Sequence, residues 1–191
     1  AYTVPSSLVA VGNGKLRNVT NHGNKTTYEW FVSNPINNYN ISVQIGNYVA
    51  VQDTFLKDNK THYMNHYVLD YNEELASNFF PQSKEVIRFY EKYFGDYQWY
   101  EDGYKLIEVP YLGMEHQSAV TYGNGFSMYN GVRSKSWPMY GVIDPLIIHE
   151  TGHEWFGNSV TASDPTHIWI HEGLQVYSEA LYFEDKFKSY Q

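Results

Sequence analysis

Residues 149–153 read HETGH and form the most informative local pattern in the chain. On an α-helix, four residues turn the chain by about 400° and advance it by about 6 Å. The imidazoles of His149 and His153 would therefore lie on one helix face, one turn apart, where both can bind a single metal ion. Glu150 projects from the same turn, and it can reach a water molecule beside the ion without binding the metal itself.

The alternative is a surface helix that carries two unrelated histidines. Gly152 favours this alternative slightly, because glycine costs about 1 kcal/mol inside a helix. The neighbouring residues favour the metal site. Asp144 and Pro145 supply an N-cap and a first-turn proline, and an apolar, aromatic helix is expected to run from them to about Gly157. Histidines in such a helix face inward, where two unpartnered imidazoles would be costly.

Glu172 is the expected third ligand. Eighteen residues separate it from His153, which lets the chain turn and return in a second helix over about 168–186. Two histidines and one carboxylate leave one coordination position open, as catalytic zinc sites require. The chain has no cysteine, so thiolate ligands and disulfides are excluded. The sequence therefore predicts one Zn²⁺ ion bound by His149, His153 and Glu172, with Glu150 as the general base for attack by water.

Composition and charge argue against several other classes of protein. The 191 residues are 42% hydrophobic and 18% aromatic, which is typical of a folded protein rather than a disordered one. The net charge is −8, and the chain has no long basic run, so a nucleic-acid partner is not expected. No apolar stretch reaches the roughly 18 residues of a membrane-spanning helix.

The chain changes character along its length. Residues 1–55 have the alternating, β-branched and aromatic pattern of strands, and the Gly-Asn-Gly sequence at 12–14 predicts a hairpin turn. Residues 56–191 mix strands and helices. Strands are expected at 8–11, 28–32, 40–45, 49–55, 63–69, 105–109 and 118–122. Further helices are expected from an N-cap at Asn72 and from Pro81 to Gly95, and a loop at Gly123, Gly125 and Gly131.

Three motifs together resemble the aminopeptidase N-type zinc aminopeptidases of the gluzincin clan. Residues 149–161, HETGHEWFGNSVT, are similar to the family's HExxHxWFGNxVT signature. Residues 169–179, WIHEGLQVYSE, are similar to its third-ligand segment, and residues 112–116, LGMEH, resemble its GxMEN motif. The order and spacing of the motifs also fit the family.

The resemblance implies a fold class and a division into domains. The expected fold is α+β, with a thermolysin-like zincin core that consists of a mixed sheet, the HExxH helix and the third-ligand helix. Residues 1–55 would be the C-terminal part of an N-terminal β-domain. Residues 56–191 would be the first part of the catalytic domain.

The resemblance also assigns further site residues. Glu115 would bind the free α-amine of a peptide substrate, and the backbone of Gly113 and Met114 would line that substrate. Glu154 and Glu179 would each support a ligand histidine through a hydrogen bond, or else be solvated helix acids. From the residues alone, Glu115 is only an acid that follows an apolar strand.

The chain departs from the family pattern at several places. His116 stands where the family usually has asparagine, and His167 stands where an acid is common. The family's tyrosine that stabilises the tetrahedral intermediate lies well beyond the third ligand, whereas Tyr177 and Tyr182 are too close to Glu172 to match it. The chain is therefore expected to lack the remainder of the catalytic domain and to show weak or no turnover by itself.

The motifs imply zinc-dependent hydrolysis of the N-terminal residue of peptides that have a free N-terminus. Two alternatives stay open at this point. One is a related gluzincin that acts as an endopeptidase or an epoxide hydrolase, and the other is a metal-binding module without catalysis. The resemblance suggests a secreted or periplasmic location, while the side-chain preference and the oligomeric state cannot be read from the sequence.

Overall fold

The computed structural model describes residues 1–126 and 143–187. Gly131, expected in a loop, lies outside these ranges. The strands are β1 (Tyr2–Pro5), β2 (Val9–Gly12), β3 (Lys15–Asn21), β4 (Lys25–Phe31), β5 (Val43–Gly46), β6 (Tyr48–Lys57), β7 (Lys60–Leu69), β8 (Leu106–Glu108), β9 (Gly113–Met114) and β10 (Val120–Tyr122). The helices are α1 (Glu73–Phe79), α2 (Ser83–Phe94), α3 (Pro145–Gly152) and α4 (Trp169–Phe187). The α+β class is confirmed.

The N-terminal strands form two small antiparallel sheets, in the orders β1-β4-β3 and β2-β5. The hairpin predicted at residues 12–14 is wrong, because β2 pairs with β5 and β3 pairs with β4. The reason is the buried Asn13, whose Nδ2 donates to the carbonyl oxygens of Asn40 (2.9 Å) and Gln117 (2.7 Å). Gly14, with φ of +75°, then lets the chain pass from one sheet to the other.

A five-stranded mixed sheet has the order β6-β7-β8-β10-β9. Strands β7, β8 and β10 run parallel, while β6 and β9 are antiparallel to their neighbours. The predicted domain boundary after residue 55 falls inside β6, where Phe55 pairs with His62 of β7. The β6–β7 hairpin therefore crosses that boundary, and the division into two domains stays a prediction.

Helix α3 starts as predicted and ends early. The Asp144 carboxylate accepts a hydrogen bond from the Leu146 N–H (2.8 Å), which caps the helix before Pro145. The predicted end at Gly157 is wrong. After Gly152 the helical i→i+4 bonds give way first to an i→i+3 bond from the Trp155 N–H to the Gly152 carbonyl (3.0 Å), and then to i→i+5 bonds such as that from the Asn158 N–H to the His153 carbonyl (2.9 Å). Helix α3 contacts α2, α4 and β10, so it lies between the helical and sheet parts of the core.

The other helices follow the sequence pattern closely. Helix α4 matches the expected range, and α2 ends at Gly95, which has φ of +93°. The expected N-cap bond of Asn72 is absent in the described structure, and its side chain instead donates to Glu108 at 2.6 Å. Pro81 lies in a 3₁₀ turn, Phe80–Gln82, just before α2. No described helix is long and apolar enough to cross a membrane.

His66 of β7 is fully buried in the core between the helices and the sheet. Its Nδ1 accepts a hydrogen bond from the Leu106 N–H (2.9 Å), and the rings of Phe80 and Tyr104 pack edge-on against it. Burial lowers the pKa of His66 to about 3. The folded chain therefore keeps this histidine neutral at pH values where the unfolded chain protonates it.

The free energy of unfolding is expected to fall as the pH falls from about 6.5 towards 3, because between these values only the unfolded chain binds a proton at His66. One such group contributes about 1.4 kcal/mol per pH unit. The variant His66→Asn keeps an acceptor and does not titrate, so its urea unfolding should depend less on pH between 5 and 7. His22→Gln, at an exposed position, is the control. Equal pH slopes in wild type and His66→Asn would contradict this account.

Candidate metal centre

Helices α3 and α4 bring the three predicted ligands together. The Nε2 atoms of His149 and His153 lie 3.1 Å apart. The Glu172 Oε2 atom lies 3.5 Å from the first of these nitrogens and 3.7 Å from the second. Ligand atoms about 2.0–2.1 Å from a tetrahedral metal lie roughly 3.3 Å from one another. The three side chains therefore have the spacing of a three-ligand metal site.

The opposite ring nitrogens fix how the two imidazoles are oriented. The His153 Nδ1 lies 2.8 Å from the Phe156 carbonyl oxygen, and the His149 Nδ1 lies 2.6 Å from the Glu179 Oε1. Both partners accept, so both Nδ1 atoms carry the hydrogen. In the neutral rings, two Nε2 lone pairs then face each other. Such an arrangement is unfavourable alone and suits a cation between them, so these residues fit a metal ion.

The surroundings of His153 keep it neutral, as a metal ligand must be. The side chain is 1% exposed, and burial lowers the pKa of His153. The local geometry follows from the helix. His153 lies just after α3 with helical backbone angles, and its N–H still bonds to the His149 carbonyl (3.3 Å). The one-turn spacing of the two ligands is therefore preserved although the regular helix ends at Gly152.

Glu150 is buried beside the three predicted ligands but is not one of the side chains that converge. Its carboxylate, that of Glu115 and a ring nitrogen of His153 lie within 4.8 Å of one another. Burial raises the pKa of Glu150 to about 8, and the nearby Glu115 adds to this effect. Gly113 of β9 packs directly under Glu150, since a Cβ there would lie 2.6 Å from the Glu150 Oε1. A glycine is required at this position for Glu150 to keep its place.

The two glutamates that the sequence grouped together differ in their surroundings. Glu179 of α4 contacts the predicted ligand His149, as described above. The Glu154 carboxylate instead accepts hydrogen bonds from the Ser118 N–H (2.7 Å), the Asn158 Nδ2 (3.0 Å) and the Tyr97 hydroxyl (3.4 Å). The structure therefore places Glu154 against the chain that follows β9 rather than against a ligand histidine.

The residues around Glu115 are mostly buried. Glu115 is 7% exposed and follows Met114, the last residue of β9. His116 is partly buried, and its Nδ1 has no hydrogen-bond partner within the described residues.

His167 is exposed in the 3₁₀ turn that precedes α4, so it does not take a supporting position against a predicted ligand.

Sequence reasoning missed Tyr39 and its neighbour Asn40. The Tyr39 ring stacks on His171 with 5.8 Å between centroids, and its hydroxyl donates to the Asn158 Oδ1 (3.2 Å). Burial and the nearby Glu115 carboxylate raise the pKa of Tyr39. Both residues lie more than a hundred positions before Asn158 and His171, so no local signal could have revealed these contacts.

The comparisons with solved structures place this fold among the M1 zinc metallopeptidases. The M1 zinc metallopeptidase from Deinococcus radiodurans is similar with a TM-score of 0.78 and 20% sequence identity. The match covers 96% of this chain and 39% of the Deinococcus chain. At this level of identity, the likeness concerns the fold alone.

The model of the peptidase family M1 domain matches residues 79–191, and the chain therefore belongs to peptidase family M1. Aminopeptidase M1-B of Oryza sativa subsp. japonica is 27% identical over 192 residues, which cover 96% of this chain and 21% of the relative. Endoplasmic reticulum aminopeptidase 2 of Homo sapiens is 32% identical over 106 residues, which cover 52% of this chain and 10% of the relative. The chain thus spans about a fifth or less of these curated relatives.

Proposed function

We propose that this chain supplies the metal centre and the amine-recognition residue of a zinc aminopeptidase. The observation that carries the proposal is the position of Glu115. Its carboxylate lies within 4.8 Å of atoms of Glu150 and His153, beside three ligands that converge on one point. The aminopeptidase names of the relatives support the same assignment.

Different residues of the site bind the metal and transfer the proton. When held by His149, His153 and Glu172, zinc would act as a Lewis acid, which polarises the carbonyl group of the substrate and lowers the pKa of a bound water molecule. Glu150 accepts a proton from the attacking water at its carboxylate and then delivers a proton to the leaving amine. Its position favours this role, because its carboxylate lies within 4.8 Å of a ring nitrogen of His153 and can reach a water molecule at the open coordination position.

Glu115 would decide which peptides are cleaved. A substrate with a free N-terminus carries an ammonium group, which pairs with a carboxylate through charge-assisted hydrogen bonds. Because Glu115 is buried, the pair would be shielded from water, and Glu115 would face an unfavourable neutral group in an N-acetylated peptide. This contrast restricts cleavage to the first peptide bond and distinguishes an aminopeptidase from an endopeptidase.

The variant Glu115→Gln is expected to lower kcat/KM for a free-amine peptide by about 10²-fold, since losing one partner of a buried charge pair costs about 2–5 kcal/mol. The measurement compares a peptide with its N-acetylated form, in a longer protein that contains this chain. Glu74→Gln, an exposed change of the same type, serves as the control. Unchanged cleavage of the free-amine peptide, or a wild-type preference for the acetylated one, would overturn the proposal.

A further inference from the structure

The chain turns back tightly just after Glu115, and the four residues 115–118 are here named the 115–118 turn. The Ala119 N–H bonds back to the His116 carbonyl at 2.8 Å. Ser118 has φ of +59°, in the left-handed region that non-glycine residues enter at a cost of about 1–2 kcal/mol. Such a conformation persists only where surrounding contacts hold it. The contacts that hold this turn therefore also determine where Glu115 lies.

Two side chains that follow the ligand His153 bind the backbone of the turn at both ends. The Glu154 Oε1 accepts from the Ser118 N–H at 2.7 Å, and the Asn158 Nδ2 donates to the Glu115 carbonyl at 2.9 Å. The Asn158 Nδ2 also donates to the Glu154 Oε2 at 3.0 Å, which joins the two side chains. Glu154 is 1% exposed and Asn158 is 7% exposed. The segment that begins with a metal ligand thus also fixes the turn of Glu115.

The orientation of the Asn158 amide is set from both sides. Its Nδ2 faces two acceptors, the Glu115 carbonyl and the Glu154 carboxylate, as given above. Its Oδ1 faces two donors, the Asn40 Nδ2 at 2.7 Å and the Tyr39 hydroxyl at 3.2 Å. A reversed amide would place donors against donors and acceptors against acceptors, so all four contacts require the present orientation.

We infer that Glu154 and Asn158 are positioning residues, which set the distance from the Glu115 carboxylate to the metal ligands by holding the 115–118 turn. The inference rests on the proposed function, because it assumes that Glu115 binds an amine. Neither residue touches the substrate in this account. Their loss should weaken the binding of free-amine ligands while the three metal ligands stay in place.

Two variants separate positioning from packing. Asn158→Asp has the same shape but removes both N–H donors, so the Glu115 carbonyl loses its partner and two carboxylates face each other. The double variant Glu154→Gln with Asn158→Asp reverses the direction of the 154–158 hydrogen bond, and Gln can still accept from the Ser118 N–H. The Glu115 carbonyl still lacks a donor in this double variant. Asn78→Asp, at an exposed site in α1, controls for the added charge.

The test measures dissociation constants of the zinc-loaded protein for L-leucine and N-acetyl-L-leucine, together with zinc content and Tm. In Asn158→Asp, we expect the Kd for L-leucine to rise at least tenfold, with the Kd for the acetylated ligand and the zinc content nearly unchanged. In the double variant, we expect the Tm to recover while the weakened binding of L-leucine remains.

Three results would count against these expectations, and they differ in meaning. Full recovery of L-leucine binding in the double variant would show that the pair acts through packing and would overturn the inference. Retained preference for L-leucine in Asn158→Asp would also overturn it, with the proposed function intact. Equal binding of both ligands by the wild type would overturn the proposed function and the inference with it.

Discussion

Replacing Glu150 by glutamine is expected to lower kcat by about 10²–10⁴-fold, which is the usual contribution of a positioned general base. Glutamine has nearly the same shape as glutamate but cannot accept a proton from water. The metal site should survive, because Glu150 is not one of the three side chains that converge. The expected signature is therefore a loss of turnover at unchanged zinc content, with KM for a free-amine peptide altered far less than kcat.

The experiment compares wild type, Glu150→Gln and the exposed control Glu74→Gln in the same peptide assay, with zinc measured by elemental analysis. The protein used is a longer protein that contains this chain. A near-normal kcat in Glu150→Gln would remove Glu150 as the general base. A loss of zinc in parallel with activity would instead assign Glu150 to metal binding.

Replacing Gly152 by alanine is expected to destabilise the fold by about 3 kcal/mol or more, through overpacking of the core. A Cβ at this position would lie 2.1 Å from the Tyr90 hydroxyl oxygen and 2.2 Å from the Gln175 Oε1. These atoms cannot move freely, because Tyr90 and Gln175 are fully buried and bond to each other at 2.7 Å. Since Gln175 belongs to α4, alanine would also push Glu172 away from the histidines.

Helix propensity alone predicts the opposite sign, which makes the test decisive. Alanine is favoured over glycine inside a helix by about 1 kcal/mol. Gly173→Ala is the matched control, because the nearest atom to its added Cβ, in Trp169, lies at 3.8 Å. We expect Gly173→Ala to gain stability and Gly152→Ala to lose stability and zinc affinity, measured by urea unfolding and zinc titration. Gly152→Ala with wild-type stability would contradict the packing account.

The sequence predicted the parts of the site that depend on local geometry. His149 and His153 are one helical turn apart, so helix geometry is enough to place them together, and the spacing to Glu172 allowed the return of a second helix. Gly152 shows the limit of local reasoning. It counted slightly against the metal site as a helix glycine, whereas in the structure it is the place where Tyr90 and Gln175 come too close for any side chain.

Non-local hydrogen bonds explain the errors and omissions. The hairpin predicted at residues 12–14 is absent because Asn13 bonds to Gln117, 104 positions away, and turn propensity carries no information about such a partner. Glu154 follows the predicted ligand His153 in sequence, and yet its carboxylate accepts a hydrogen bond from the Ser118 N–H. Tyr39 contacts Asn158 and His171, which lie 119 and 132 positions later in the chain. These contacts depend on how distant segments pack, and local sequence patterns carry no information about that packing.

The Asn40–Asn158 hydrogen bond has a consequence for chain entropy. It joins residues 118 positions apart, whereas the loop between His153 and Glu172 contains eighteen residues. Closing the longer loop costs about 1.6 kcal/mol more, because the entropy of closure grows with the logarithm of loop length. Orienting the Asn158 amide through Asn40 therefore costs more chain entropy than bringing the predicted metal ligands together, because a short stretch of chain separates those ligands.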